Sequence, residues 1–474
     1  MRYNSPIFYQ LLCFLLFLSS SSATQLCSHD ESAALIQFKT LFSINQTASK
    51  DCEVGTISHP KINSWKEGTD CCLWDGVSCD NITGHVIRLD LSCSWLSGTL
   101  PSNSSLFILS HLQRLDLSFN DFKKSKISSQ FGRFTSLTHL DLSNSWFSGP
   151  VPYEISYLSK LVLLDLSSHS ALDLLGVQAP EPILKVEKST LAGIVQNLTV
   201  VREIFLHGIN MSLVDPNSFN NLSSSLTSLS LIGCDLRGKF PENSFNLPYI
   251  KYLALDENPS LTGQFPKSNW SSPLEDLSVD LTSFSGELPE SIGNLKSLRG
   301  LSLIGCNFSG SIPRSLGNLS QLESLFLSFN YFSGKIPSSL TNLTQLGLLD
   351  IFCNQLDGTI PDNPNAFPNL GLLDLSDNLL TGTTPSWLYS HLSLILLNLG
   401  NNKFTGHINE FQYSFLKFLY LSKNTFEGSI PSSIAKLVNL TFLDLSYNNF
   451  SGKIPSSLTN LTQLGLLDIF CNHS

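Results

Sequence analysis

The sequence predicts an elongated α/β repeat solenoid, on three observations. A register of the form L-x-x-L-x-L-x-x-N-x-L-x-G-x-I-P returns at a step of 24, with frames starting at Leu226, Ile250, Leu274, Leu298, Leu322, Leu346, Leu370 and Leu394. Of 474 residues, 42% are hydrophobic and only 14% are charged, which excludes a chain disordered by self-repulsion and too few apolar groups. A cluster of Cys and Trp precedes the first frame, where a stack of repeats needs a lid over its open apolar edge. A net charge of −10 argues against a nucleic-acid surface, which needs clustered Lys and Arg.

The elements follow in chain order. Arg2, the apolar run Ile7 to Leu18 and the small residues from Ser19 to Ala23 have the three parts of a secretory signal peptide, so residues 1–23 are expected to be removed. Residues 24–85 form the predicted N-terminal cap. Within it Ala33, Ala34, Leu35 and Phe38 recur at helical spacing, followed by Trp65, Asp70-Cys71-Cys72, Trp74 and Cys79. Clustered cysteines could hold zinc, but no His joins them at ligand spacing, and a secreted chain favours disulfides. No metal and no cofactor is assigned.

Residues 86–474 carry about sixteen frames, the last incomplete. In each L-x-L the two leucines fall on one face of a short strand and point into the stack, because strand side chains alternate. The intervening residues point out, and parallel stacking of the strands builds the concave sheet of a leucine-rich-repeat horseshoe. Asn at 120, 258, 330, 354, 378, 402, 424 and 448 sits where the chain turns inward, placed to satisfy backbone groups that would otherwise be buried unpaired. Cys234 and Cys306 occupy that same frame position and read as ladder substitutes, since a buried thiol behaves as a small hydrophobe with a weak donor.

The register breaks twice. A longer stretch near residues 170–200 is expected to loop out of the stack with a short helix, and the step from Leu394 to Leu416 shortens to 22. Residues 333–354 also recur unchanged at 451–472, which reads as a duplication rather than as two independently selected surfaces. The chain stops just after the strand of a repeat, and is expected to be truncated.

The run Trp65, Asp70-Cys71-Cys72, Trp74, Gly76-Val77, Cys79 resembles the plant-type cap W-x4-D-C-C-x-W-x-G-V-x-C. With Cys52, Leu91-Ser92-Cys93, and Asn103-Ser104-Ser105-Leu106-Phe107 leading into Leu115 to Asn120, the chain is similar to the ectodomain of plant receptor-like proteins, particularly the tomato leaf-mould resistance type. That resemblance implies a plant-type solenoid and disulfides Cys27–Cys71 and Cys72–Cys79, with Cys52 and Cys93 left to each other. It also implies an extracellular recognition module, at the plasma membrane where an anchor is present, that signals through receptor-kinase co-receptors; the sequence itself contains no apolar run long enough to span a membrane after the leader. A polygalacturonase-inhibitor-like protein and a receptor-kinase ectodomain fragment share the cap and repeat and are the alternatives.

No phosphate loop, metalloprotease helix or nucleophile elbow is present, so an enzyme is not expected. The Leu-Asp-Leu-Ser carboxylates Asp116, Asp141, Asp165, Asp374 and Asp444 recur as part of the repeat. Ligand recognition is sought where that grammar fails. In the frames from Ile250 to Leu322 the outward positions become Tyr252, Asp256, Glu257, Glu275, Asp276, Asp280, Arg299, Glu323, Phe326 and Phe329, an acidic and aromatic set suited to a basic or mixed peptide or protein ligand. Glycosylation signals stand at Asn45, Asn81, Asn103, Asn197, Asn210, Asn221, Asn269, Asn307, Asn318, Asn342, Asn439, Asn449, Asn460 and Asn472.

Overall fold

A computed structural model describes residues 27–52, 58–168, 184–412 and 415–472. The leader and residues 169–183 of the register break lie outside them. The chain divides into two compact units, Met1–Leu161 and Val162–Ser474.

In the first unit, helix α1 (His29–Lys39) buries Ala34, Leu35 and Phe38, the face its apolar spacing dictates. Asp30 and Glu31 stand in its first turn and Lys39 in its last, the polarity that complements the helix dipole. Disulfides join Cys27 to Cys71, Cys52 to Cys93 and Cys72 to Cys79. Trp65 and Trp74 stack with centroids 5.6 Å apart, and the Trp65 indole N–H donates to Asp75 O at 2.9 Å. Phe42–Ile44 pairs antiparallel with Leu96–Gly98, an approach that needs glycine, because a Cβ at Gly98 would lie 2.3 Å from Leu41 O. Strand β1 (Val86–Asp90) is covered by the antiparallel Val77–Cys79 on one side and continues in parallel into β2 (Arg114–Asp116) and β3 (His139–Asp141) on the other. The cap thus occupies the edge of the first repeat with backbone hydrogen bonds as well as with apolar side chains.

In the second unit, β4 (Leu163–Asp165), β5 (Glu203–Phe205), β6 (Ser228–Ser230), β7 (Tyr252–Ala254), β8 (Asp276–Ser278), β9 (Gly300–Ser302) and β10 (Ser324–Phe326) pair in parallel without a register shift. The sheet continues through β11 (Leu348–Asp350), β12 (Leu372–Asp374), β13 (Leu396–Asn398), β14 (Phe418–Tyr420), β15 (Phe442–Asp444) and β16 (Leu466–Asp468). The shortened step leaves Leu396 opposite Phe418, so the lost residues come from the far side of the repeat and not from the sheet. Many of the Ile-Pro or related turns lead into a one-turn 3-10 helix, as at Arg314–Asn318, whose Leu316 is buried, whereas Ile360-Pro361 does not.

Helix α2 (Lys188–Asn197) corrects part of the expected loop-out. It buries Leu191 and Ile194 and packs on the turn Pro216–Asn221, so it takes the place of a repeat's own 3-10 turn within its unit. Packing there removes its apolar face from water.

The inward turns are held as the sequence predicts. Asn258 donates through Nδ2 to Leu231 O, Leu255 O and Asp256 O, while its Oδ1 accepts the N–H groups of Cys234 and Leu236 at 3.1 and 2.9 Å. Cys234 donates its thiol to Leu206 O and Cys306 to Val279 O, each taking the asparagine's place with a weaker donor. Ser145 and Thr282 hold the same position with hydroxyls, a substitution the sequence reading passed over.

Candidate ligand-binding site

On the outward face of β7 to β10, side chains line up in rows, because parallel strands in register place equivalent positions side by side. One row is Tyr252, Asp276, Gly300, Ser324, and the next is Ala254, Ser278, Ser302, Phe326. Gly300 leaves a gap in the first row. A Cβ there would meet Asp276 Oδ1 at 2.4 Å, so the Asp276 carboxylate leans into the space the glycine leaves open. The result is a shallow depression of about 320 Å³ whose lining includes Tyr252, Asp276, Asp280, Ser302, Ser324 and Phe326. A second hollow of about 440 Å³ lies in the first unit, against Ile36, Phe42, Ile62 and Trp65, and has only Lys39 and Glu67 to give it charge.

The electrostatics of the depression are acidic. Burial pushes the Asp276 carboxyl up, helped by Glu275 and Glu323 and opposed by the Arg299 guanidinium. Burial also raises Tyr252, with Asp256 and Asp276 adding to it. Along one border Lys251 pairs with Glu275 at 2.7 Å and Arg299 with Glu323 at 3.3 Å, which neutralises that border, and among the described residues neither Asp276 nor Asp280 makes an ion pair.

Of the ten candidate residues, Tyr252, Asp276, Asp280 and Phe326 therefore share one concavity, and Glu275, Arg299 and Glu323 form its charged rim. Asp256 sits at the end of its strand and is engaged by the Ser278 hydroxyl and the Asp280 N–H. Glu257 lies in the left-handed region at φ 58°, with one buried carboxylate oxygen that has no hydrogen-bond partner among the described residues. Phe329, also left-handed at φ 54°, packs edge-on against Phe352 at 4.4 Å, in the turn beyond the strand and not among the residues of the depression. Gly300, Ser302 and Ser324 are the site residues the sequence reading missed. A glycine at the outward position just before the L-x-L of Leu301 and Leu303 is the signal that could have found the first.

The recurrent carboxylates are committed to their own turns. Asp116 Oδ1 accepts the Ser118 N–H and hydroxyl at 3.0 and 2.7 Å, and Asp165, Asp374 and Asp444 repeat the pattern with Ser167, Ser376 and Ser446. Among the described residues no helix is long and apolar enough to cross a membrane.

Comparison with known proteins agrees with this architecture. Residues 28–80 match the leucine rich repeat N-terminal domain, and residues 136–158, 297–319, 321–343, 369–391, 415–437 and 439–461 match the Leucine Rich Repeat. The chain is 42% identical over 300 residues to Receptor-like protein Cf-9 of Solanum pimpinellifolium, covering 62% of this chain and 33% of that one. It is 38% identical over 312 residues to Receptor-like protein 6 of Arabidopsis thaliana, covering 64% and 31%. The matched region thus spans about a third of the length of these relatives. Among solved structures, the Arabidopsis receptor kinase HAESA in complex with the peptide hormone IDA and the co-receptor SERK1 aligns with a TM-score of 0.64 at 26% identity, over 94% of this chain and 86% of that one. The plant peptide hormone receptor RGFR1 in complex with RGF2 aligns with a TM-score of 0.60 at 26% identity, over 85% and 72%.

Proposed function

We propose that this leucine-rich-repeat chain, whose curated relatives are receptor-like proteins of the Cf-9 type, is the extracellular recognition module of a plant immune receptor-like protein. It binds a peptide or protein ligand on the outward face of its sheet, works as a binding module and not as an enzyme, and signals through partner receptor kinases. The observation that carries this reading is the depression around Gly300, where one missing side chain, two acidic groups and two aromatic rings interrupt an otherwise repetitive face. Acidic groups within a neutralised rim favour a ligand that presents a Lys or Arg beside an apolar residue. Solved neighbours of the same fold hold peptide hormones, which supports a peptide-sized ligand.

The experiment is a binding screen of the secreted chain against an array of synthetic peptides with basic, neutral and acidic sequences. Basic peptides are expected to be retained by the native chain and lost by Gly300→Val, which fills the depression from the outward face of its strand, where the added Cβ meets Asp276 and Ser324. Equal retention by native chain and variant would overturn this assignment of the site.

A further inference from the structure

The first unit contains a cluster that the recognition function does not use. Glu31, on α1, is buried, with its side chain 6% exposed. Its Oε2 accepts the Val86 N–H at 3.0 Å. Its Oε1 faces His85 Nδ1 at 3.4 Å and His111 Nδ1 at 3.7 Å. The imidazoles stack with centroids 3.8 Å apart and planes 15° from parallel, so both turn the same edge toward the carboxylate. His85 Nδ1 is buried and among the described residues lacks a hydrogen-bond partner, while the Ser110 hydroxyl lies 3.4 Å from His111 Nδ1. The three ligand atoms all fall within 4.8 Å of one another.

These separations are long for direct hydrogen bonds but close to the edge of a metal tetrahedron. Bonds of about 2.0–2.2 Å to N and O place neighbouring ligand atoms about 3.3–3.5 Å apart. Two imidazoles and one carboxylate are also a donor set that divalent zinc takes, leaving a fourth position to water. We propose that Glu31, His85 and His111 form a binding site for a divalent first-row transition cation, with Zn2+ as its type. His111, half exposed at the start of a repeat, supplies the small ring rotation that brings its lone pair out of the stack and onto the ion. The bound ion links α1, the entry to β1 and the turn before β2, three segments far apart in sequence, and so adds a cross-link to the disulfide-stapled cap. The carboxylate that anchors it is already fixed by the Val86 N–H, which leaves Oε1 free to ligate.

The test is calorimetric titration of Zn2+ into the chelator-stripped full chain with its accessible thiols, Cys353 and Cys471, alkylated, alongside thermal melts with and without the metal. Saturable stoichiometric binding and a raised melting temperature are expected. His111→Asn and Glu31→Gln should each weaken binding at least tenfold, and Glu31→Gln keeps an oxygen for the Val86 N–H. Intact disulfides Cys27–Cys71, Cys52–Cys93 and Cys72–Cys79 on peptide mapping, with unchanged tryptophan emission, show that the cap of each variant is folded. Absence of saturable binding by the native chain, or retention of the native affinity by either variant, overturns the proposal. Failure here leaves the sheet-face reading untouched, because the two sites share no residue.

Discussion

Asp256 Oδ1 accepts the backbone N–H of Asp280 from the next strand at 2.7 Å, and Asp280 Oδ1 in turn accepts the N–H of Ile304 at 2.6 Å. Two half-buried carboxylates thus hold, from the preceding repeat, the N–H that Asp116, Asp374 and Asp444 hold within their own repeats.

That arrangement makes the second unit's stability depend on pH. Burial raises Asp256, and burial together with the Asp256 charge pushes Asp280 up to about 6, against the hydrogen bonds from Ser302 and Ile304. A carboxyl raised on folding binds its proton more tightly in the native state, so its contribution to stability is fully present below the unfolded value of 3.8 and is lost as pH rises through the folded value. Urea midpoints should therefore fall between about pH 4 and pH 6, by an amount corresponding to about 1–3 kcal/mol. Asp280→Asn keeps an oxygen for the Ile304 N–H and should flatten that slope while stabilising the neutral-pH state. A native slope that persists in the variant would count against this assignment.

The asparagine ladder predicts an asymmetry between two substitutions. Asn258→Ala strands three carbonyls and two N–H groups in the interior and should cost about 3 kcal/mol or more, read as a lowered denaturation midpoint. Cys234→Asn restores the residue type the repeat uses at that position and should leave the midpoint unchanged or raise it. A loss as large as that of Asn258→Ala would show that the thiol is selected for its volume.

The free cysteines should separate by reactivity. Burial pushes the Cys234 thiol up to about 12 and Cys306 up to about 11, so neither offers a thiolate near neutral pH. Cys471 is exposed and Cys353 partly so, although burial raises Cys353 too. Iodoacetamide at mildly alkaline pH should label Cys471 first, Cys353 more slowly, and the two buried thiols only after denaturation, as peptide mapping would report.

Glycan occupancy should follow the ladder as well as the sequon. Asn45, Asn81, Asn103, Asn221, Asn269, Asn307, Asn318, Asn342, Asn449 and Asn460 are exposed. Asn472 is instead a ladder residue, with Nδ2 donating to Leu445 O and Ile469 O at 3.0 and 2.9 Å. Glycopeptide analysis of the secreted chain should find the exposed group modified and Asn472 bare, because a glycan would occupy the nitrogen that makes both hydrogen bonds.

The repeat, the ladder and the inward leucines were legible because each is a local rule stated many times over. Cys234 and Cys306 could be placed by frame position alone, and so could the carboxylates that bind their own Ser. The candidate patch was legible only as a list of outward positions. Whether an outward residue faces a ligand or the backbone depends on the next strand, which is why Asp256 and Asp280 turned out to hold neighbouring N–H groups while Asp276 leans over Gly300. Glu31, His85 and His111 carry no shared motif, since three segments distant in the chain bring them together.

The duplicated segment separates the two kinds of information. Both copies form the same turn, Ser338–Asn342 and Ser456–Asn460, and the same strand, Leu348–Asp350 and Leu466–Asp468. Both place cysteine in the left-handed region, at φ 54° and 55°, and both aim the following asparagine at the carbonyls of the previous repeat and its own. Local conformation at these positions therefore came from the sequence alone, whereas Ser333 to Lys335 form strand against Gln355 to Asp357 and the identical residues 451–453 do not. Burial differs as well: Leu349 is 2% exposed and its counterpart Leu467 40%, and Ile336 is 6% exposed against 56% for Ile454. The first copy lies between two repeats, and among the described residues the second has a neighbour on one side only. Hydrogen bonds within a repeat and to the repeat before it set the shape of each unit, but the removal of its leucines from water is supplied by the units on either side.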